Sequence, residues 1–104
     1  MKEVEFSFKL TAKGRLSNVF FYPEQETMSI RLETADHKVW ENKSFKLNVA
    51  NPFEYELAVF GVSGTEWEAE LRIKGQTKAF IEWEGETGDT RRNVSIRTKP
   101  EKDV

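Results

Sequence analysis

Residues 65–74 read TEWEAELRIK, and their conformation decides whether this chain is all-β. The stretch is rich in helix formers, Thr65 to Glu68 fits a capping box, and Glu70 to Lys74 has the favourable i,i+4 order of charges. A helix, however, would align only Trp67 and Leu71 on one face and turn Ala69 and Ile73 away. A strand places all four on one face and leaves the glutamates at 66, 68 and 70 on the other. Gathering four apolar side chains outweighs local propensity, so the spacing predicts a strand.

The pattern continues into a hairpin, because Ala79, Ile81 and Trp83 also fall on odd numbers. Opposed residues of an antiparallel pair share a face, so their numbers must sum to an even value. A two-residue Gly75-Gln76 turn sums to 151 and sets Ile73 opposite Lys78, which excludes it. A three-residue loop with Gly75 left-handed sums to 148 and pairs Glu70 with Lys78, Ala69 with Ala79 and Trp67 with Ile81. A sum of 152 keeps Ile73 opposite Ala79 but faces Glu70 with Glu82. Charge pairing favours the sum of 148.

Working outward, the same period recurs along the chain. Val4, Phe6, Phe8 and Leu10 share one face of a first strand, followed by "RLSNVFFY", then Met28, Ile30 and Leu32, a short "VW" at 39–40, and Phe45, Leu47 and Val49. After the break at Asn51-Pro52 come Phe53, Tyr55, Leu57 and Val59, the hairpin, and finally Val94 and Ile96. Eight or nine short strands at intervals near ten residues, with no helical stretch between them, predict an all-β, antiparallel two-sheet sandwich, immunoglobulin-like or jelly-roll-like. The pattern resembles immunoglobulin-like sandwiches in generic architecture alone, since the paired cysteines of antibody domains are missing. One domain over 1–98 and a flexible tail over 99–104 complete the expected organisation.

The chain has 104 residues, no cysteine, a net charge of -2 and a pI near 5.5. A core without disulfides or thiolate metal sites must hold it together. The opening "MKEVEFSFKL" alternates charge and hydrophobe and is no signal peptide, so the default location is cytoplasmic, or secreted if a signal was removed. No apolar run approaches the roughly 18 residues of a membrane helix. Residues 66–89 carry seven acids against three bases, whereas 91–102 are basic, a contrast read as two solvated faces.

One stretch breaks the alternation: Asn18, Val19, Phe20, Phe21, Tyr22 and Pro23, NVFFYP, sets four apolar or aromatic residues side by side. With Leu16, Phe20 and Tyr22 inward, Val19 and Phe21 point outward, and Pro23 marks an edge or a strand end. Phe60, beside inward Val59, and Phe80, between Ala79 and Ile81, are also out of phase. Val19, Phe21, Tyr22, Phe60 and Phe80 are therefore the candidate partner-binding residues, forming an exposed apolar patch beside an edge strand. The competing arrangement is a β-bulge at Phe20-Phe21 that turns both rings inward.

Catalytic chemistry finds little support. His37 is the sole histidine, in the polar turn "TADHK", without a nucleophile motif. Asp36, His37 and Glu41 are too few and too loosely spaced for a metal site. Glu82 and Glu84 lie about 7 Å apart on one strand face, within the spacing of an inverting glycosidase pair, but belong to an alternating run of solvent-facing glutamates. No enzyme activity, metal or cofactor is expected. Sugar binding is the alternative, with Trp40 as an exposed platform beside Asp36 and Asn42. The basic stripe Arg91, Asn93, Ser95, Arg97 and Lys99 is read as balancing the acidic hairpin rather than binding nucleic acid. The expected function is non-catalytic binding of a macromolecular partner, a protein, in the manner of a small inhibitor or adaptor, with a structural subunit of a larger assembly as a third reading.

Overall fold

A computed structural model of the chain describes residues 2–23, 30–49, 55–88 and 94–98. These residues contain no helix and form seven strands: β1 (Lys2–Ala12), β2 (Leu16–Pro23), β3 (Val39–Val49), β4 (Tyr55–Gly61), β5 (Glu66–Ile73), β6 (Ile81–Glu86) and β7 (Val94–Thr98). They build two antiparallel sheets, one in the order β3-β1-β5-β6 and one in the order β2-β4-β7. The contested TEWEAELRIK stretch is strand β5 over most of its length, with Trp67, Ala69 and Leu71 buried and Glu66 and Glu68 exposed.

The described residues hold seven strands, where eight or nine were expected over the whole chain. The "VW" and Phe45–Val49 segments are one strand, β3, because a register shift against β1 between Phe6 and Phe8 absorbs the change of phase that had separated them. Of the expected Met28–Leu32 strand, residues 30–32 form no ladder, and the single bridge Glu33 to Glu41 joins that segment to β3. Met28, the Asn51-Pro52 break and the 99–104 tail lie outside the described residues.

Both sheets feed one core. Val4, Phe6, Phe8, Leu10 and Ala12 of β1 line it from the four-stranded sheet, and Leu16, Val19, Phe21, Tyr55, Leu57 and Val59 line it from the other. Each large apolar side chain so buried contributes about 1.5–3 kcal/mol. The sheets meet through stacked rings of Phe8 and Phe21, centroids 5.0 Å apart, and through the Trp83 indole N–H, which donates to the Tyr55 hydroxyl at 2.5 Å.

The β5-β6 hairpin takes the register that charge pairing disfavoured. Ala69 stands opposite Trp83, Leu71 opposite Ile81, and Glu70 opposite Glu82, so opposed numbers sum to 152 rather than 148. In the expected register Trp83 would face Thr65, beyond the end of β5. In the observed one it sits mid-strand, opposite Ala69 and against Phe8, Phe21 and Tyr55. Burying a tryptophan among aromatic rings is worth several times the 0.2–1 kcal/mol or so of one cross-strand charge pair, so the register follows the ring. Arg72 relieves part of the repulsion with a two-pronged bond to Glu70, Nε to Oε1 at 2.9 Å and Nη2 to Oε2 at 3.2 Å.

The far end of this hairpin is tied by Thr87, the buried polar side chain among the described residues. Its hydroxyl donates to the Val62 carbonyl and accepts the Thr65 N–H at 3.0 Å, locking the β4-β5 turn to the end of β6. Gly88 follows with φ +92°, where a Cβ would also lie 2.2 Å from the Ser63 hydroxyl oxygen. Thr87→Val keeps the volume and removes both bonds. It is expected to lower stability by about 1–2 kcal/mol, seen as a lower urea midpoint, while Thr87→Ser, which keeps the hydroxyl, avoids most of the loss.

Candidate functional site

The NVFFYP stretch is strand β2, and its phase is the reverse of the expected one. Leu16, Val19, Phe21 and Pro23 are buried, and Asn18, Phe20 and Tyr22 face the other side. The reason is a bulge: register against β4 shifts between Leu16 and Asn18, so Leu16 and Val19 both reach the core although three positions apart. The doublet is therefore split by ordinary pleating, Phe21 inside and Phe20 outside, and the bulge lies earlier than the Phe20-Phe21 position weighed above.

Three of the five candidate partner-binding residues are core residues. Val19 is 4% exposed and Phe21 0%. Phe80 is 6% exposed, its ring 6.4 Å from Phe6, because its N–H already bonds the Leu71 carbonyl just before β6 begins and its side chain turns in with Ile81. Tyr22 and Phe60 lie on the outer face of the three-stranded sheet, each half-buried. Phe20, expected inward, completes that group.

The outer face is built by the β2-β4 register. Asn18 opposes Phe60, Phe20 opposes Ala58, and Tyr22 opposes Glu56. The Phe20 ring stacks on Tyr22 at 6.2 Å and meets Phe60 edge-on at 5.8 Å. Beneath these rings Ala58 is buried although it belongs to the outer row. On its other side β4 pairs Phe60 with Val94 and Ala58 with Ile96 of β7. The edge near Pro23, expected to be open, is partly occupied, since the Phe21 carbonyl accepts the Ile30 N–H at 2.9 Å.

Trp40, Asp36 and Asn42 do not assemble a sugar platform. Trp40 is buried, its indole N–H donating to the His37 carbonyl at 3.0 Å and its ring meeting the His37 ring edge-on at 5.5 Å. Asp36 caps the turn: its Oδ1 accepts the N–H groups of Lys38 and Val39, which hold its carboxyl below the usual range. Asn42 donates to the Arg31 carbonyl and accepts the Ser44 N–H. A tryptophan next to a turn reads as exposed in sequence, but His37 adopts φ 61° and folds the turn over it.

The third feature is acidic. On the outer face of β5-β6 the register sets Glu66 against Glu86, Glu68 against Glu84 and Glu70 against Glu82. Lys13 reaches Glu66 at 2.6 Å and keeps its carboxyl below the ordinary value, and Arg72 does the same for Glu70. Of the basic segment, β7 pairs with β4 in the other sheet, with Arg97 opposite Leu57. Arg91 and Lys99 lie outside the described residues. Among the described residues no group of three or more acidic or histidine side chains is disposed to hold a metal, and no helix is long and apolar enough to cross a membrane.

No protein-family model matches the chain, and neither a curated protein nor a solved structure matches it.

Proposed function

We propose that this chain is a non-catalytic binding protein that engages a protein partner through the outer aromatic face of the β2-β4 ladder, as a small inhibitor or adaptor does. The observation that carries the reading is the ring-to-ring cluster of Phe20, Tyr22 and Phe60, half-buried on the outside of a sheet whose inside already has a core. Outer positions of a sheet facing water are ordinarily polar, and aromatic residues at the centre of a patch are the side chains that most often anchor protein interfaces. In this reading the two sheets form an immunoglobulin-like or jelly-roll-like sandwich, with Phe20 and Phe60 as anchors, Tyr22 supplying a hydroxyl at the rim, and Asn18 and Glu56 as polar surrounds.

The test is affinity purification from the native host with the wild-type chain and with a Phe20→Ser, Phe60→Ser double variant. The wild type is expected to retain a partner that the double variant loses, while the variant's thermal midpoint falls by only a few degrees. Equal retention by both proteins would reject the aromatic face as the binding surface.

A further inference from the structure

Where the β1-β2 connection, the bends at 35–38 and the end of β4 converge, the surface holds an open cavity of about 450 Å³, lined by Arg15, Leu16, Ser17, His37, Gly61 and Val62. That volume suits a small molecule. No acidic side chain is among the six, although 18 of the 104 residues of the chain are Asp or Glu. Asp36, the acid next in sequence to His37, commits its Oδ1 to the N–H groups of Lys38 and Val39.

His37 is fixed from several sides. Its N–H donates to the Thr34 hydroxyl at 2.9 Å, and its carbonyl accepts the Leu16 N–H at 2.8 Å and the Trp40 indole N–H at 3.0 Å. Among the described residues it is the non-glycine residue with positive φ, at 61°, a conformation that costs energy and is often retained at ligand sites. The imidazole Nδ1 lies 3.3 Å from the Leu16 carbonyl oxygen. A carbonyl oxygen can only accept, so Nδ1 carries the hydrogen and Nε2 is left for a ligand.

The other lining groups fit an anion with an organic body. Arg15 is exposed, and no carboxylate among the described residues pairs with it. Ser17 is exposed too, and the β2 bulge gives it no residue opposite, since Leu16 faces Gly61 and Asn18 faces Phe60. Val62 is the large apolar side chain that the described residues leave in water, at 74% exposure. Its carbonyl accepts the hydroxyls of Thr65 and Thr87, which holds it at the rim.

We propose that this cavity binds a phosphate monoester of a small molecule. The phosphate offers charged oxygens to the planar fork of Arg15 and, in its singly protonated form, one P–O–H to His37 Nε2. One proton thus serves both groups, whichever of them holds it. Ser17 adds a hydroxyl, and Val62 covers the apolar part of the organic body.

The test follows amide and imidazole resonances of the full chain as phenyl phosphate, inorganic phosphate or benzoate is added. Phenyl phosphate is expected to saturate at roughly millimolar concentration, moving the signals of Arg15, Ser17, His37 and Val62, with inorganic phosphate and benzoate several-fold weaker. Arg15→Gln alters an exposed side chain and is expected to weaken phenyl phosphate about tenfold without changing the thermal midpoint. His37→Asn, which tolerates the left-handed backbone, should weaken it as well. Val62→Ser should weaken phenyl phosphate and leave inorganic phosphate unchanged, and Lys38→Gln, an exposed cation outside the cavity, should change neither. The proposal is overturned if phenyl phosphate gives no saturable shift by about 10 mM, if benzoate binds as tightly, or if Arg15→Gln or His37→Asn binds it unchanged. It is overturned equally if Lys38→Gln weakens binding as much as Arg15→Gln, the mark of general attraction between an anion and surface cations. The cavity and the aromatic face share no residue, so either reading can fail while the other stands.

Discussion

Phe21→Ala is expected to destabilise the chain by about 3–5 kcal/mol, the range for emptying a fully buried phenylalanine site. The ring has 0% exposure and touches aromatic neighbours from both sheets, with centroids 5.0 Å from Phe8, 5.8 Å from Trp83 and 6.0 Å from Tyr55. Those partners belong to three other strands, β1, β6 and β4, so little of the cavity can close by movement of one element. Against a total stability of about 5–15 kcal/mol for a domain of this size, the loss approaches a third or more of the whole. The thermal midpoint should drop by roughly 12–30 °C. Phe20→Ala, one residue earlier and on the outer face, is expected to lose no more than about 1 kcal/mol. Urea unfolding of the two variants side by side reads the phase of β2 directly. Were the two losses exchanged, Phe20 would be the core residue and the outer cluster with Tyr22 and Phe60 would not exist.

Why that phase was illegible in sequence is a matter of symmetry. Alternation marks a strand but offers two phases, and in "LSNVFFYP" both are apolar: Leu16, Phe20 and Tyr22 in one, Val19, Phe21 and Pro23 in the other. The bulge between Leu16 and Asn18 lets the strand change phase partway, so Leu16 belongs to the core together with Val19 and Phe21. Strands with one polar face left no such choice. Val4, Phe6, Phe8 and Leu10 are all buried as their spacing required, and Trp67, Ala69 and Leu71 likewise. The hairpin was legible as far as parity reaches, since the odd-numbered apolar sets excluded a two-residue turn. Choosing between sums of 148 and 152 needed the position of the opposite sheet, which no local pattern contains. The candidate site inherits these limits: Phe60 was found through its departure from alternation and Tyr22 as a member of the aromatic run, although that run was given the opposite phase, whereas Val19, Phe21 and Phe80 depart from alternation for reasons internal to the core.

The same dependence on the opposite sheet makes Trp83 the residue whose loss should be felt in two ways at once. Trp83→Phe removes the indole N–H that donates to the Tyr55 hydroxyl and shortens a side chain packed edge-on against Tyr55 at 4.9 Å and against Phe21 at 5.8 Å. A loss of about 2–4 kcal/mol is expected, combining a cavity with a broken buried hydrogen bond. Tyr55→Phe should lose about 1 kcal/mol by itself, and the double variant less than the sum of the two, with a coupling of about 1 kcal/mol because one bond is counted in both single changes. Trp83 also stands opposite Ala69 in the hairpin, in the register that sets Glu70 against Glu82 and Glu68 against Glu84. If burial of this ring is what overrides the charge repulsion, Trp83→Phe should weaken amide protection across β6 more than a single lost bond requires. Chemical denaturation of the four proteins in the cycle, with hydrogen exchange on β6, separates the two effects. Zero coupling would show that the bond adds nothing to the docking of the sheets. Unchanged protection of β6 alongside a large stability loss would assign the register to the turn at Gly75, whose φ of +88° already commits the chain to a glycine there.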